Sequence, residues 1–127
     1  VTRKPPKALK KVKFVAEQGI DLDRLTAPKL LYRGTVAGAA AKFPANVNVA
    51  VALGFAGIGP ENTQFEIWAD PGVTRNTHTI KVEADAANFE MTIGVVPTEE
   101  NPATGKLVAL SVMDALRGLV TTFRVGT

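Results

Sequence analysis

The sequence predicts an α+β domain with helices packed on one face of a mainly antiparallel sheet. Three observations carry that expectation. Residues 63–69, 78–85 and 88–96 each alternate apolar and polar side chains with the period of two that marks a half-buried strand. Residues 107–120 place Ala109, Val112, Met113, Leu116 and Val120 on one stripe at helical spacing. The chain has 127 residues, the size of one domain with a core of its own.

The elements can be justified in order. Val1-Thr2-Arg3 reads as the end of a strand that Pro5-Pro6 stops. Residues 14–25 read as an extended or loosely turned connection, with a short helical turn at 21–25. Residues 29–34 form a strand. Residues 35–43 are helix-prone, with Thr35 a candidate N-cap and Pro44 the stop. Residues 46–58 are apolar all round apart from Asn46 and Asn48, which predicts a buried helix. Gly54 and Gly57 would let another element approach it, but their spacing is not a dinucleotide fingerprint. Asn46 or Asn48 either caps this helix or offers an amide to a ligand at its start. The three alternating stretches then follow as a meander, and the short Ala86-Ala87 connection predicts a hairpin between the last two. Trp68 falls opposite Phe65 and Ile67, so it is either exposed or covered by a partner. Asn101 before Pro102, or Thr104 one turn later, is the expected cap of the last helix.

Composition removes several classes of function. There is no cysteine, hence no disulfide and no thiolate chemistry. One histidine without cysteine is not a zinc donor set, and no metal is expected. No apolar run is long enough to span a bilayer and no signal peptide is visible, so the expected compartment is the cytoplasm and no membrane partner is expected. Residues 1–13 hold six of the fifteen bases and no acid, leaving nine bases against twelve acids in the remainder. The net charge of +3 therefore comes from a basic arm. No aromatic residue interleaves these bases before Phe14, so a solvated segment is expected and nucleic-acid binding is not.

The stretch 70–80 (Asp-Pro-Gly-Val-Thr-Arg-Asn-Thr-His-Thr-Ile) runs from a turn into a strand and carries the one histidine. Alternation puts His78 on the face of Ile80, Val82 and Ala84, where an apolar surface meets a polar loop. An imidazole there is either a core-edge side chain bonded to backbone or a proton-transfer group whose pKa its surroundings tune.

Several strings occur together and in order: Thr2-Arg3-Lys4-Pro5-Pro6, Phe43-Pro44-Ala45-Asn46-Val47-Asn48-Val49-Ala50, Ala56-Gly57-Ile58-Gly59, Ala69-Asp70-Pro71, Asn76-Thr77-His78-Thr79-Ile80 and Glu100-Asn101-Pro102-Ala103-Thr104. Over nearly its whole length the chain resembles the C-terminal domain of L-aspartate dehydrogenases. The resemblance implies a mixed sheet with helices packed on one face, residues 1–127 forming a single domain, and an N-terminal dinucleotide-binding domain absent from this chain. It implies NAD- or NADP-dependent oxidative deamination of L-aspartate to iminoaspartate, which feeds NAD biosynthesis, in a homo-oligomer, expected to be a dimer. By motif match His78 takes the place of the active-site histidine and Asn48 that of a cofactor-contacting asparagine, with Asn46 a second candidate. A dicarboxylate needs cations: Arg3, Lys4 and Arg75 qualify by charge, and Asn76 and Thr77 can bond the ring or the substrate. The helix start departs from the family's usual Asn-Pro-Lys-Thr-Ser, reading Asn101-Pro102-Ala103-Thr104-Gly105. The competing reading is a non-catalytic dimerisation or binding module that retains the fold.

Overall fold

The computed structural model describes residues 1–98 and 105–123. The chain divides into two compact units, Val1–Gly94 and Val95–Thr127.

The first unit is built on five strands: β1 (Thr2–Lys4), β2 (Lys29–Thr35), β3 (Gln64–Ala69), β4 (Thr77–Glu83) and β5 (Asn88–Gly94). Their spatial order is β2-β3-β1-β4-β5. Only the β1–β3 pair is parallel, so the sheet is mixed and mainly antiparallel, as expected. The meander is corrected. β3 and β4 are not neighbours, because β1 lies between them and pairs with part of each. The expected hairpin of β4 and β5 is present, closed by the Ala84 N–H donating to the Ala87 carbonyl at 3.2 Å.

β1 also corrects the view of residues 1–13 as a solvated arm. Thr2 and Lys4 are buried, and Leu9 is fully enclosed in a 3-10 turn at Pro6–Leu9. Lys7, Lys10, Lys11 and Lys13 do reach solvent. The connection that follows is more ordered than its sequence suggests. It forms α1 (Lys13–Glu17) and a 3-10 turn at Leu22–Arg24, where the Asp21 carboxylate accepts the Asp23 N–H at 3.0 Å.

Two more helices complete this unit, α2 (Val36–Ala40) and α3 (Asn48–Ala56). Thr35 caps α2 as expected, its hydroxyl accepting the Gly38 N–H at 3.2 Å. Phe65, Ile67 and Ala69 of β3 pack against Leu9, Val15, Val36, Ala39 and Phe43 to form the core. Phe43 is fully enclosed, with the rings of Phe14 and Tyr32 edge-on to it at 5.2 and 6.1 Å between centroids.

α3 departs from expectation. Its apolar sequence does not bury it: Phe55 and Ile58 are exposed, and Gly54 is its one buried residue. The helix meets the rest through Ala50 and Val51, which pack half-buried against the core, and through that glycine, where a Cβ would stand 3.0 Å from the Pro60 Cα. Neither asparagine caps it; Val47 holds the cap position with no side-chain bond.

In the second unit α4 (Lys106–Gly118) matches the predicted helix. Leu107, Leu110, Met113 and Leu116 on it are exposed. The expected caps Asn101 and Thr104 lie outside the described residues.

Phe43→Ala removes the largest enclosed side chain together with two edge-on ring contacts. It should lower unfolding stability by about 3–5 kcal/mol, measured by denaturant unfolding with an unchanged m-value.

Candidate active site

The pairing of β1 with β4 sets Thr2 directly opposite His78. The two side chains share the inner face, and the Thr2 Oγ1 lies 3.0 Å from the His78 Nδ1 in a buried hydrogen bond. Both residues are nine-tenths or more buried. Sequence reasoning identified the histidine but missed this partner. The hydroxyl is 76 positions away, and no local pattern joins the two.

The bond limits what the ring can do. Its Nδ1 is committed to Thr2, so Nε2 is the nitrogen left for an external group. With the proton on Nδ1 donated to the hydroxyl, Nε2 carries a free lone pair. Burial, and after it the charge of Lys4, pushes His78 below its ordinary value of 6.5. The imidazole is therefore neutral at pH 7 and can accept a proton.

Lys4 lies two residues along β1 from Thr2 on the same inner face. It is 8% exposed, and burial pushes its ammonium below the usual lysine range. Arg3, between them, points to the other face. It donates to the Asp70 carboxylate at 3.0 Å and sits 5.2 Å above the Trp68 ring. Trp68 is thus half-covered from within the chain, and its indole N–H donates to Glu66 at 2.9 Å. That donor, more than Arg33, holds the Glu66 carboxyl below the usual range.

The loop before β4 is shaped by Asp70. Its N–H donates to the Lys4 carbonyl at 2.9 Å, and its Oδ1 accepts the Gly72 N–H at 2.8 Å. Arg75 is exposed, with its stem against Gly94. Asn76 is half-buried at the strand entry. Thr77 pairs with Arg3 and Gly94, so alternation puts it on the face opposite His78. The hydroxyl that meets the ring is that of Thr2. Asn48 is exposed on the first turn of α3 and Asn46 is half-buried before it. Neither side-chain amide has a hydrogen-bond partner among the described residues, and none joins them to His78. The same residues contain no cluster of metal-binding side chains and no helix long and apolar enough to cross a membrane.

The sequence profile of the family described as "Aspartate dehydrogenase, C-terminal" matches residues 1–119. The chain is 57% identical over its whole length to L-aspartate dehydrogenase 3 of Bordetella bronchiseptica, of which it covers 46%. It is 54% identical over its whole length to L-aspartate dehydrogenase of Bradyrhizobium diazoefficiens, covering 45%. The crystal structure of aspartate dehydrogenase from Thermotoga maritima superposes with a TM-score of 0.72 at 30% identity, over 98% of this chain and 44% of that one. The chain therefore spans less than half the length of these relatives.

The buried, neutral His78 makes stability depend on pH. Its folded pKa lies below 6.5, so the unfolded state binds the proton more readily. Its contribution is full above 6.5 and is lost as pH falls through the folded value. His78→Gln should flatten that part of the acid dependence in denaturant melts made at successive pH values. Thr2→Val should cost about 1–3 kcal/mol by leaving a buried ring nitrogen unpaired, measured by denaturant unfolding at pH 7.

Proposed function

This chain belongs to the aspartate dehydrogenase C-terminal domain family, and we propose that it forms the substrate side of an NAD(P)-dependent L-aspartate dehydrogenase with His78 as the proton-transfer residue. The observation that carries the proposal is the ring of His78: buried, neutral at pH 7, and held through Nδ1 by Thr2 so that Nε2 is free.

Oxidation of an α-amino acid needs the nitrogen lone pair. The substrate ammonium gives a proton to His78 Nε2, and the exposed lone pair then drives hydride from Cα as the C=N bond forms. In the tautomer with the proton on Nδ1, Thr2 accepts from Nδ1–H in the neutral ring and in the imidazolium alike, so the ring need not turn during transfer. The nicotinamide, when bound, supplies the hydride acceptor. The residues present fit such a group in part. The unpartnered amide of Asn48 at the start of α3 suits a carboxamide contact, and Asn46 lies just before it. The pyrophosphate cradle belongs to an N-terminal dinucleotide-binding domain joined to this one in the complete enzyme.

The product iminoaspartate would feed nicotinamide dinucleotide synthesis, in the cytoplasm. A homodimer accords with the half-exposed Phe89 and Met91 on β5.

In the complete enzyme His78→Ala should reduce turnover per folded molecule by about 10²–10⁴-fold, with a lower melting temperature as well because the ring is buried and bonded to Thr2. Preserved turnover per folded molecule would falsify the assignment. In the wild type, the acid-side decline of kcat/KM should have its midpoint below 6.5, where Nε2 becomes protonated. Calorimetric titration of the 127-residue chain with NAD should show weak binding or none, because it has no glycine-rich phosphate cradle.

A further inference from the structure

We propose that the Lys4 ammonium receives a carboxylate of the substrate, beside His78 on the inner face of the sheet. That the substrate is aspartate rests on the reading above, whereas the anion site itself rests on the geometry of β1.

Lys4 stands on the central strand of the sheet, on the face that β1 shares with Thr2 and His78. Its direct neighbour on β3 is Ala69, which offers no side-chain acceptor. More than nine-tenths of the residue is buried, and among the described residues no acid or hydrogen-bond acceptor meets its ammonium. Almost every buried lysine has such a partner, because an unpaired charge taken out of water is costly. The nearest acid in the loop is already committed. Asp70 uses Oδ2 for Arg3 and Oδ1 for the Gly72 N–H.

The ammonium nonetheless remains reachable. No fully enclosed side-chain nitrogen or oxygen among the described residues lacks a partner, so the unpartnered Lys4 Nζ opens to the surface. The two other candidate cations are placed differently. Arg3 faces the opposite side, paired with Asp70 and stacked over Trp68. Arg75 is exposed on the loop. Lys4 alone of the three combines burial, an unpaired charge and the face of His78.

A carboxylate at Lys4 would compensate the buried charge and also act on the ring. The Lys4 charge disfavours the imidazolium form of His78. An anion that offsets this charge makes the ring a better base when a substrate is present to be deprotonated. Binding of one end of the dicarboxylate would thereby prepare proton transfer at its α-nitrogen.

The chain has one histidine, so its ring resonances need no assignment. The test follows them by NMR at constant pH while succinate, a dicarboxylate that cannot be oxidised at an amine, is added to the 127-residue chain. The wild type should show a saturable shift, Lys4→Arg should retain it, and Lys4→Met should abolish it. Lys4→Met keeps an apolar stem of similar length and removes an unpaired buried charge, so its melting temperature should be equal or higher. In the complete enzyme Lys4→Met should raise KM for aspartate by about 30-fold or more, with a smaller change in kcat. No saturable response in the wild type, the same response in Lys4→Met, or a KM within twofold of wild type would overturn the proposal. An equal response to sulfate would overturn the carboxylate assignment. The succinate titration requires neither cofactor nor turnover. Binding with no aspartate oxidation would separate a failure of the dehydrogenase reading from a failure of the anion site.

Discussion

The pairing of β1 with two strands at once is the constraint on which the rest of the sheet depends. β3 and β4 would otherwise be edges, each with a row of unpaired backbone donors and acceptors. Three residues, Thr2–Lys4, pair with Ile67–Ala69 of β3 and with Thr77 and His78 of β4, and so close part of each row. Because alternate side chains on a strand face opposite ways, the same three residues furnish both surfaces of the sheet. Thr2 and Lys4 supply polar groups to the inner face beside the imidazole. Arg3 supplies a cation to the outer face, where Trp68, Glu66 and Arg33 continue the network.

The two faces manage charge in opposite ways. On the outer face every charge in the Arg3–Asp70 and Arg33–Glu66 pairs has a counter-ion, and the ion pairs keep part of their surface in water. Such pairs are worth little individually, and their effect is to hold Trp68 and the 70–76 loop in place. On the inner face an ammonium and an imidazole lie in an apolar layer with a single hydroxyl between them and, among the described residues, no acid. A stable core does not require that arrangement, and burial drives both groups towards their neutral forms. Departure from packing logic on one face, with regular packing on the other, is where chemistry is to be sought.

Much of this was legible in the sequence because it is local. Alternation gave three strands and the face of His78, Thr35 declared its helix, and the stripe of residues 107–120 declared α4. What escaped notice was non-local or depended on context. A three-residue strand among prolines and lysines has too few positions for a period to show, so neither the central place of β1 nor the Thr2–His78 bond could be read. α3 misled for a different reason. An apolar sequence reports what a helix would gain by burial, not whether the fold supplies a cover, and this one is anchored at Gly54 with Phe55 in solvent. The placement of Asn48 and Asn46 near the start of that helix was correct, but capping is not their role.

The separation of the paired residues along the chain has a consequence for how the site comes into being. The β4–β5 hairpin closes across the four residues 84–87, a contact that forms in about 1–10 microseconds in isolation. The Thr2–His78 contact must close 76 positions of chain, and the entropy of that closure is compensated only when β1 settles between strands that are already present. The hairpin that carries His78 can therefore form early, while the hydroxyl that orients its ring arrives last. Any partly folded form that leaves β1 detached would keep native-like strands yet possess no competent base, so competence for proton transfer reports completion of the sheet rather than its beginning.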